Sequence, residues 1–116
     1  MKHNMRLKKD PFEKICAGKK TVELRLFDEK RKNVNVGDTI EFECPDLEGK
    51  NITVRVLALH LFGSFRELYA TIPLEKCGYC KDEVKKASYT DMEAYYSAEE
   101  QAKYGVVGIE FEPEKK

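Results

Sequence analysis

Residues 21–27 read Thr-Val-Glu-Leu-Arg-Leu-Phe, and this strict alternation leaves the segment one backbone state that satisfies it. At a period of two, Val22, Leu24 and Leu26 point one way, and Thr21, Glu23, Arg25 and Phe27 point the other. That pattern predicts a β-strand with an apolar core face and a polar face. What precedes it fixes how the strand is entered. Asp10-Pro11-Phe12-Glu13 has the make-up of a helix start, with Asp10 as the expected cap, Pro11 in the first turn and Glu13 completing a capping box. Phe12, Ile15 and Cys16 share one face of a helix of about two turns. Gly18 suits the left-handed position just past its end. Lys19 and Lys20 therefore fall at a helix–strand junction.

The rest of the chain reads as short elements. Asp28 to Asn33 is expected to be a charged loop. Val36-Gly37-Asp38 forms a turn into a second strand with Ile40, Phe42 and Cys44 in phase. Pro45 to Gly49 forms a hairpin connection, and Ile52, Val54, Val56 and Ala58 mark a third strand. Ser64-Phe65-Arg66-Glu67 is a second capping box, followed by Leu68, Tyr69 and Ile72 and stopped by Pro73. Thr90-Asp91 and Ser97-Ala98 open two short helices, the second ended by Gly105. Val106, Val107, Ile109 and Phe111 form a last strand, and residues 112–116 are expected to fray. Residues 74–88 carry the weakest pattern and are expected to be mobile. This order predicts an α+β chain: a small mixed β-barrel flanked by short helices. At 116 residues it is expected to be one domain, 1–116, with a core large enough to need no staples.

No apolar stretch is long enough to span a bilayer, because the longest, around Val54 to Phe62, is broken by Arg55 and His60. The first residues lack the apolar run of a secretory signal, so a cytoplasmic location is expected, with Cys16, Cys44, Cys77 and Cys80 as thiols. Net charge is zero but uneven. Residues 1–36 carry 11 Lys/Arg against 5 Asp/Glu, and residues 37–116 carry 10 against 16. A basic patch meeting an anion such as nucleic acid is one consequence; mutual cancellation on folding is the other.

Lys19, Lys20, Glu23 and Arg25 are the leading candidates for a site. Lys supplies a point charge for phosphate and Arg a planar fork for phosphate or a base edge. Glu accepts hydrogen bonds from a base amine. A solvated strand face with ordinary ion pairs is the bland alternative. The lone Cys77-Gly78-Tyr79-Cys80 lacks two further zinc ligands and the strand–helix context of a redox motif, so neither a metal nor another cofactor is expected. Cys16 and Cys44 fit core positions. His60 reads as a core or rim residue, and His3 as a neighbour of the strand platform. Tyr89, Tyr95, Tyr96 and Tyr104 are placed to pack or to stack bases. The sequence contains no convincing Ser/His/Asp pattern and no Gly-rich phosphate loop.

Gly18-Lys19-Lys20-Thr21-Val22-Glu23-Leu24-Arg25, followed by Asp28-Glu29-Lys30-Arg31 and Val36-Gly37-Asp38-Thr39-Ile40-Glu41-Phe42, resembles the ASCH domain family. Tyr95 to Gln101 and Tyr104 to Ile109 resemble its closing segment. The resemblance implies a PUA-like barrel with a cleft between barrel and helices. It also implies RNA or a modified nucleoside as partner, with Lys19, Lys20, Arg25 and Arg31 as nucleic-acid contacts. It leaves open a hydrolase acting on acetylated cytidine or RNA through Lys20 and Glu23, and a protein-interaction domain of the transcription or translation machinery. In the amidohydrolase branch the Lys of the G-x-K-T segment works with a Thr three residues later and a further Glu. Lys20 matches that Lys, position 23 holds Glu, and Glu67 and Glu75 are the candidates for the third residue.

Overall fold

The computed structural model describes residues 1–114. Five strands, β1 (Lys2–Arg6), β2 (Val22–Leu26), β3 (Thr39–Cys44), β4 (Lys50–Phe62) and β5 (Val106–Pro113), form one sheet in the order β1-β3-β4-β5-β2. The helices are α1 (Lys9–Cys16), α2 (Glu29–Lys32), α3 (Phe65–Thr71), α4 (Lys81–Val84) and α5 (Ala98–Tyr104). β1 runs parallel to β3, and every other neighbouring pair is antiparallel.

The long β4 makes the sheet curl. Its first half pairs with β3 and its second half with β5, with a bulge between Val56 and Ala58 that adds local twist. The result is a half-barrel whose edge strands, β1 and β2, face each other across a seam. Arg25 on β2 spans it, its Nη2 donating to the Arg6 carbonyl of β1 at 3.1 Å. The expected mixed barrel flanked by short helices is therefore present, as a half-barrel.

Two apolar clusters hold it. Inside the curl, Met5, Ile40, Phe42, Val54, Val56, Ile109 and Phe111 pack with Phe12 and Ile15 of α1. On the other side, Val22, Leu24, Leu26 and Val106 meet Phe65, Leu68 and Ile72. Each such side chain contributes roughly 1.5–3 kcal/mol by leaving water. The approach of α3 to the sheet is close at Gly108: a Cβ there would lie 2.8 Å from Ile72 Cδ1 and 3.2 Å from Val22 Cγ1, so those side chains would have to shift.

Several local expectations hold and others are corrected. Gly18 takes φ +76° past α1, and the Ser64 and Ser97 side chains cap α3 and α5. Asp10 is not the cap of α1. The helix starts at Lys9 with Lys8 before it and no side-chain cap, and Asp10 instead pairs with Lys14 at 3.3 Å. Residues 28–33 are not a loop, because the Asp28 side chain accepts from Arg31 N and closes the turn of α2. The Thr90–Asp91 helix is a 3-10 helix over Tyr89–Ala94, capped by Ser88. Cys44 is buried as expected, but Cys16 is exposed, lying off the face that carries Phe12 and Ile15. Within residues 74–88, where the sequence pattern is weakest, the chain forms a 3-10 turn, Leu74–Lys76, and α4, Lys81–Val84. The fraying expected at 112–116 meets β5, which runs to Pro113; residues 115 and 116 lie outside the described residues.

Candidate functional site

Gly18 ends α1 so tightly that the N–H groups of Lys19 and Lys20 both donate to the Lys14 carbonyl, at 2.9 and 3.1 Å. Thr21 N then donates to Lys76 O at 2.8 Å, and Lys20 bridges Cys77. The entrance of β2 is thus clamped between α1 and the 74–77 turn, and the Lys20 side chain is directed inward rather than to solvent.

There it meets the face of β2 that alternation predicts to be polar, and this face is buried. Lys20 is 7% exposed and Glu23 4%. Lys20 Nζ lies 3.0 Å from Glu23 Oε1 and donates to the Cys77 carbonyl at 3.2 Å. Arg25 reaches the other carboxylate oxygen, Oε2, through Nε at 2.9 Å and Nη2 at 2.7 Å. One carboxylate is therefore gripped by two cations. Burial by itself would raise the Glu23 carboxyl, but Lys20 and Arg25 outweigh it and hold it below its usual range. Burial likewise opposes the charge on Arg25, and Glu23 outweighs that too, leaving the guanidinium more firmly protonated than usual. The neighbouring Cys77 thiol goes the other way: burial pushes it up to about 11, against the pull of Lys20.

This array forms the floor of a cleft of about 450 Å³ at the barrel seam. Arg6 and Lys8 line it together with Tyr69, Tyr79, Tyr95 and Tyr96. Tyr96 stacks on Phe65 with centroids 5.8 Å apart. Tyr95 stands at the mouth, 61% exposed, with Lys8 Nζ 5.8 Å from its ring centroid.

The candidates from sequence divide sharply. Lys20, Glu23 and Arg25 come together. Lys19 is exposed and borders a neighbouring cavity of about 610 Å³, together with Glu75. Arg31 lies on α2, pairs with Asp28 at 3.0 Å and lines neither cavity. Glu67 accepts from Gly63 N at 3.2 Å, away from Lys20. His3 bonds Asp38 and half-exposed His60 bonds Glu110, each at 2.9 Å. Cys77 is buried while the exposed Cys80 caps α4. Sequence reasoning missed Arg6, Lys8, Tyr69 and Tyr79 as cleft residues. The only signal for Tyr79 was its place beside Gly78 in a segment without periodicity.

A family model for the ASCH domain matches residues 5–115. The chain belongs to the ASCH domain family. Among solved structures, the crystal structure of hypothetical protein PH0355 is 37% identical, with a TM-score of 0.80, covering 98% of this chain and 100% of that one. The solution structure of protein PF0455 from Pyrococcus furiosus is also 37% identical, with a TM-score of 0.72 and full coverage of both chains at 100%. The ZmASCH protein from Zymomonas mobilis shares the fold alone, at 15% identity and a TM-score of 0.65, covering 95% of this chain and 68% of its own. No curated protein matches. The α+β half-barrel is thus the PUA-like fold of ASCH proteins, and among the described residues no helix is long and apolar enough to cross a membrane.

Proposed function

We propose that this ASCH chain acts as one domain that binds a nucleoside, free or as one residue of an RNA strand, in the seam cleft. The observation that carries this reading is the buried Lys20–Glu23–Arg25 array on the cleft floor. A buried ion triad adds little net stability over apolar side chains of the same volume, so its value lies in what it presents. It presents donors held in place: the third N–H of Lys20, and an Arg25 guanidinium already oriented by Glu23. These suit a base carbonyl or a phosphate oxygen. A volume of about 450 Å³ suits one nucleoside rather than a length of strand, and the tyrosine wall offers faces for stacking. Arg6 and Lys8 extend the cationic character towards the mouth, where a phosphate of a longer RNA would pass.

Binding is favoured over hydrolysis by the proton affinities. A carboxylate held below its usual range is a weak base, which counts against Glu23 activating water. The thiol beside Lys20 is held in its unreactive protonated form. Lys20 and Glu23 accordingly bind and orient in this reading, and Arg31 and Lys19 stand outside the cleft.

The test is calorimetry with cytidine, N4-acetylcytidine and a short single-stranded RNA at two salt concentrations, with chromatography of the mixtures for product. Binding is expected to weaken at least tenfold in Lys20→Met and in Arg25→Met, with RNA binding also falling as salt rises. Unchanged affinity in both folded variants would reject the cleft. Product that disappears in Lys20→Met would assign a hydrolase instead, and absence of binding to every probe would turn attention to a protein partner.

A further inference from the structure

The tyrosine wall of the cleft has a fixed hydrogen-bond polarity. Tyr79 donates its hydroxyl to Asp91 Oδ2 at 3.0 Å. The Tyr69 and Tyr79 hydroxyl oxygens are 2.7 Å apart, with the rings edge to face at 6.0 Å. Asp91 is held by its own turn, Oδ2 also accepting from Ser88 N at 3.2 Å. A carboxylate only accepts, and each phenol has a single proton. The Tyr79 proton is committed to Asp91, so the proton between the two phenols belongs to Tyr69. The order of donation is Tyr69 to Tyr79 to Asp91. Burial, first among the causes, raises both phenols, so neither loses its proton near neutrality. What this pair has left for a ligand is lone pairs, and both residues line the cleft. The wall accepts while the Lys20–Arg25 floor donates.

We propose that Tyr69, oriented by the Tyr79–Asp91 chain, is the specificity-determining acceptor of the cleft, selecting nucleobases whose edge carries an N–H beside the carbonyl that the floor binds. This rests on the nucleoside reading above and narrows it to a substrate class: bases with an unsubstituted lactam or exocyclic N–H, as against their N-alkylated forms. A base without that hydrogen leaves the Tyr69 lone pairs facing an alkyl group in a half-buried site, and unmatched polar groups of this kind discriminate far more strongly than lost apolar contact. Tyr69 contacts the base and Tyr79 positions Tyr69; no covalent bond is made or broken.

The experiment is a set of binding isotherms for two probe pairs, uridine with 3-methyluridine and cytidine with N4,N4-dimethylcytidine. In the unmodified protein, methylation is expected to weaken the better-bound parent at least tenfold. In Tyr69→Phe the parent weakens, its methylated form does not, and the ratio falls close to one. In Tyr79→Phe the ring wall remains but the Tyr69 proton is released towards the cleft, so the ratio again falls. A parent and methylated form bound equally by the unmodified protein, or a ratio that survives in Tyr69→Phe, would overturn the inference and leave the cleft reading intact. Failure of all four nucleosides to bind would bring down the cleft reading itself, and the inference with it.

Discussion

Lys20 and Lys32 each stand three residues from a glutamate, and the two pairs have opposite fates. Lys20–Glu23 is 3.0 Å apart with side chains 8% and 6% exposed; Lys32–Glu29 is 3.5 Å apart with side chains 46% and 87% exposed. The charges and spacing are the same. The difference comes from what surrounds them. α2 is a single turn on the surface, whereas β2 is covered on its apolar face by α3 and at its entrance by α1 and the 74–77 turn. A surface pair gains little because water competes for both partners and screens them. A buried pair carries a desolvation cost that only a complete set of partners offsets. Glu23 has that set, and losing any part of it exposes the cost.

The sharpest break of the comparison is Glu23→Ala. It leaves the Lys20 ammonium and the Arg25 guanidinium buried side by side with no counter-ion, and is expected to lower stability by about 3–5 kcal/mol. Urea denaturation of the purified variant measures it; a loss under 1 kcal/mol would mean that water already reaches the array freely. The next step removes all three charges together. Lys20→Met, Glu23→Leu and Arg25→Met combined should be neutral or stabilising by up to about 4 kcal/mol, while nucleoside binding is lost. Arg25 also holds the barrel seam through Arg6 O, so the gain is expected to fall short of that bound. A triple variant as unstable as Glu23→Ala would show that the array serves the fold rather than a ligand.

How far this contrast could be read from sequence depends on where the determining contacts lie. The alternation over 21–27 was sufficient to make β2, and local chemistry sufficed for the Gly18 stop and the Ser64 and Ser97 caps, because those interactions close within a few residues. Lys20, Glu23 and Arg25 were legible as candidates for the same reason. Their burial was not, because it is made by residues far along the chain, such as Cys77, 57 positions from Lys20, whose segment has no periodicity. β1 escaped notice because it is a parallel edge strand, with Met5 the one buried side chain in it, too few for a pattern. Arg6 and Lys8 were lost with it. Lys19 and Arg31 looked equivalent to Lys20 and Arg25 in composition, but Lys19 stays on the surface at the helix end and Arg31 belongs to the surface turn of Asp28. Tyr69 and Tyr79 meet only because α3 and the 74–84 segment fold back on each other.

Acid sharpens the comparison without mutation. The Glu23 carboxyl is held below the usual carboxylate range by Lys20 and Arg25, so the unfolded chain takes up its proton first as pH falls. Its contribution to stability is complete above that pH and is lost as pH drops through the lowered folded value. Urea midpoints between pH 7 and pH 3 should therefore fall more steeply in the unmodified protein than in Glu23→Gln, which has no carboxyl at that position to titrate. Parallel curves would mean that other carboxylates carry the acid sensitivity.

The smallest expected effect closes the contrast from the surface side. Exchanging the partners of the exposed pair, Glu29→Lys with Lys32→Glu, keeps the ion pair and the net charge but sets both charges against the dipole of α2. With one helical turn and two solvated side chains, the change should stay within about 0.5 kcal/mol, and nucleoside affinity should not move because neither residue lines the cleft. The same exchange at the buried pair, Lys20→Glu with Glu23→Lys, also keeps net charge. It would place a cation where Arg25 requires a carboxylate, and should destabilise the chain much as Glu23→Ala does, by about 3–5 kcal/mol. If the two exchanges proved equally mild, burial would not be what separates these pairs, and the seam array would be an ordinary ion-pair cluster with no tie to a ligand.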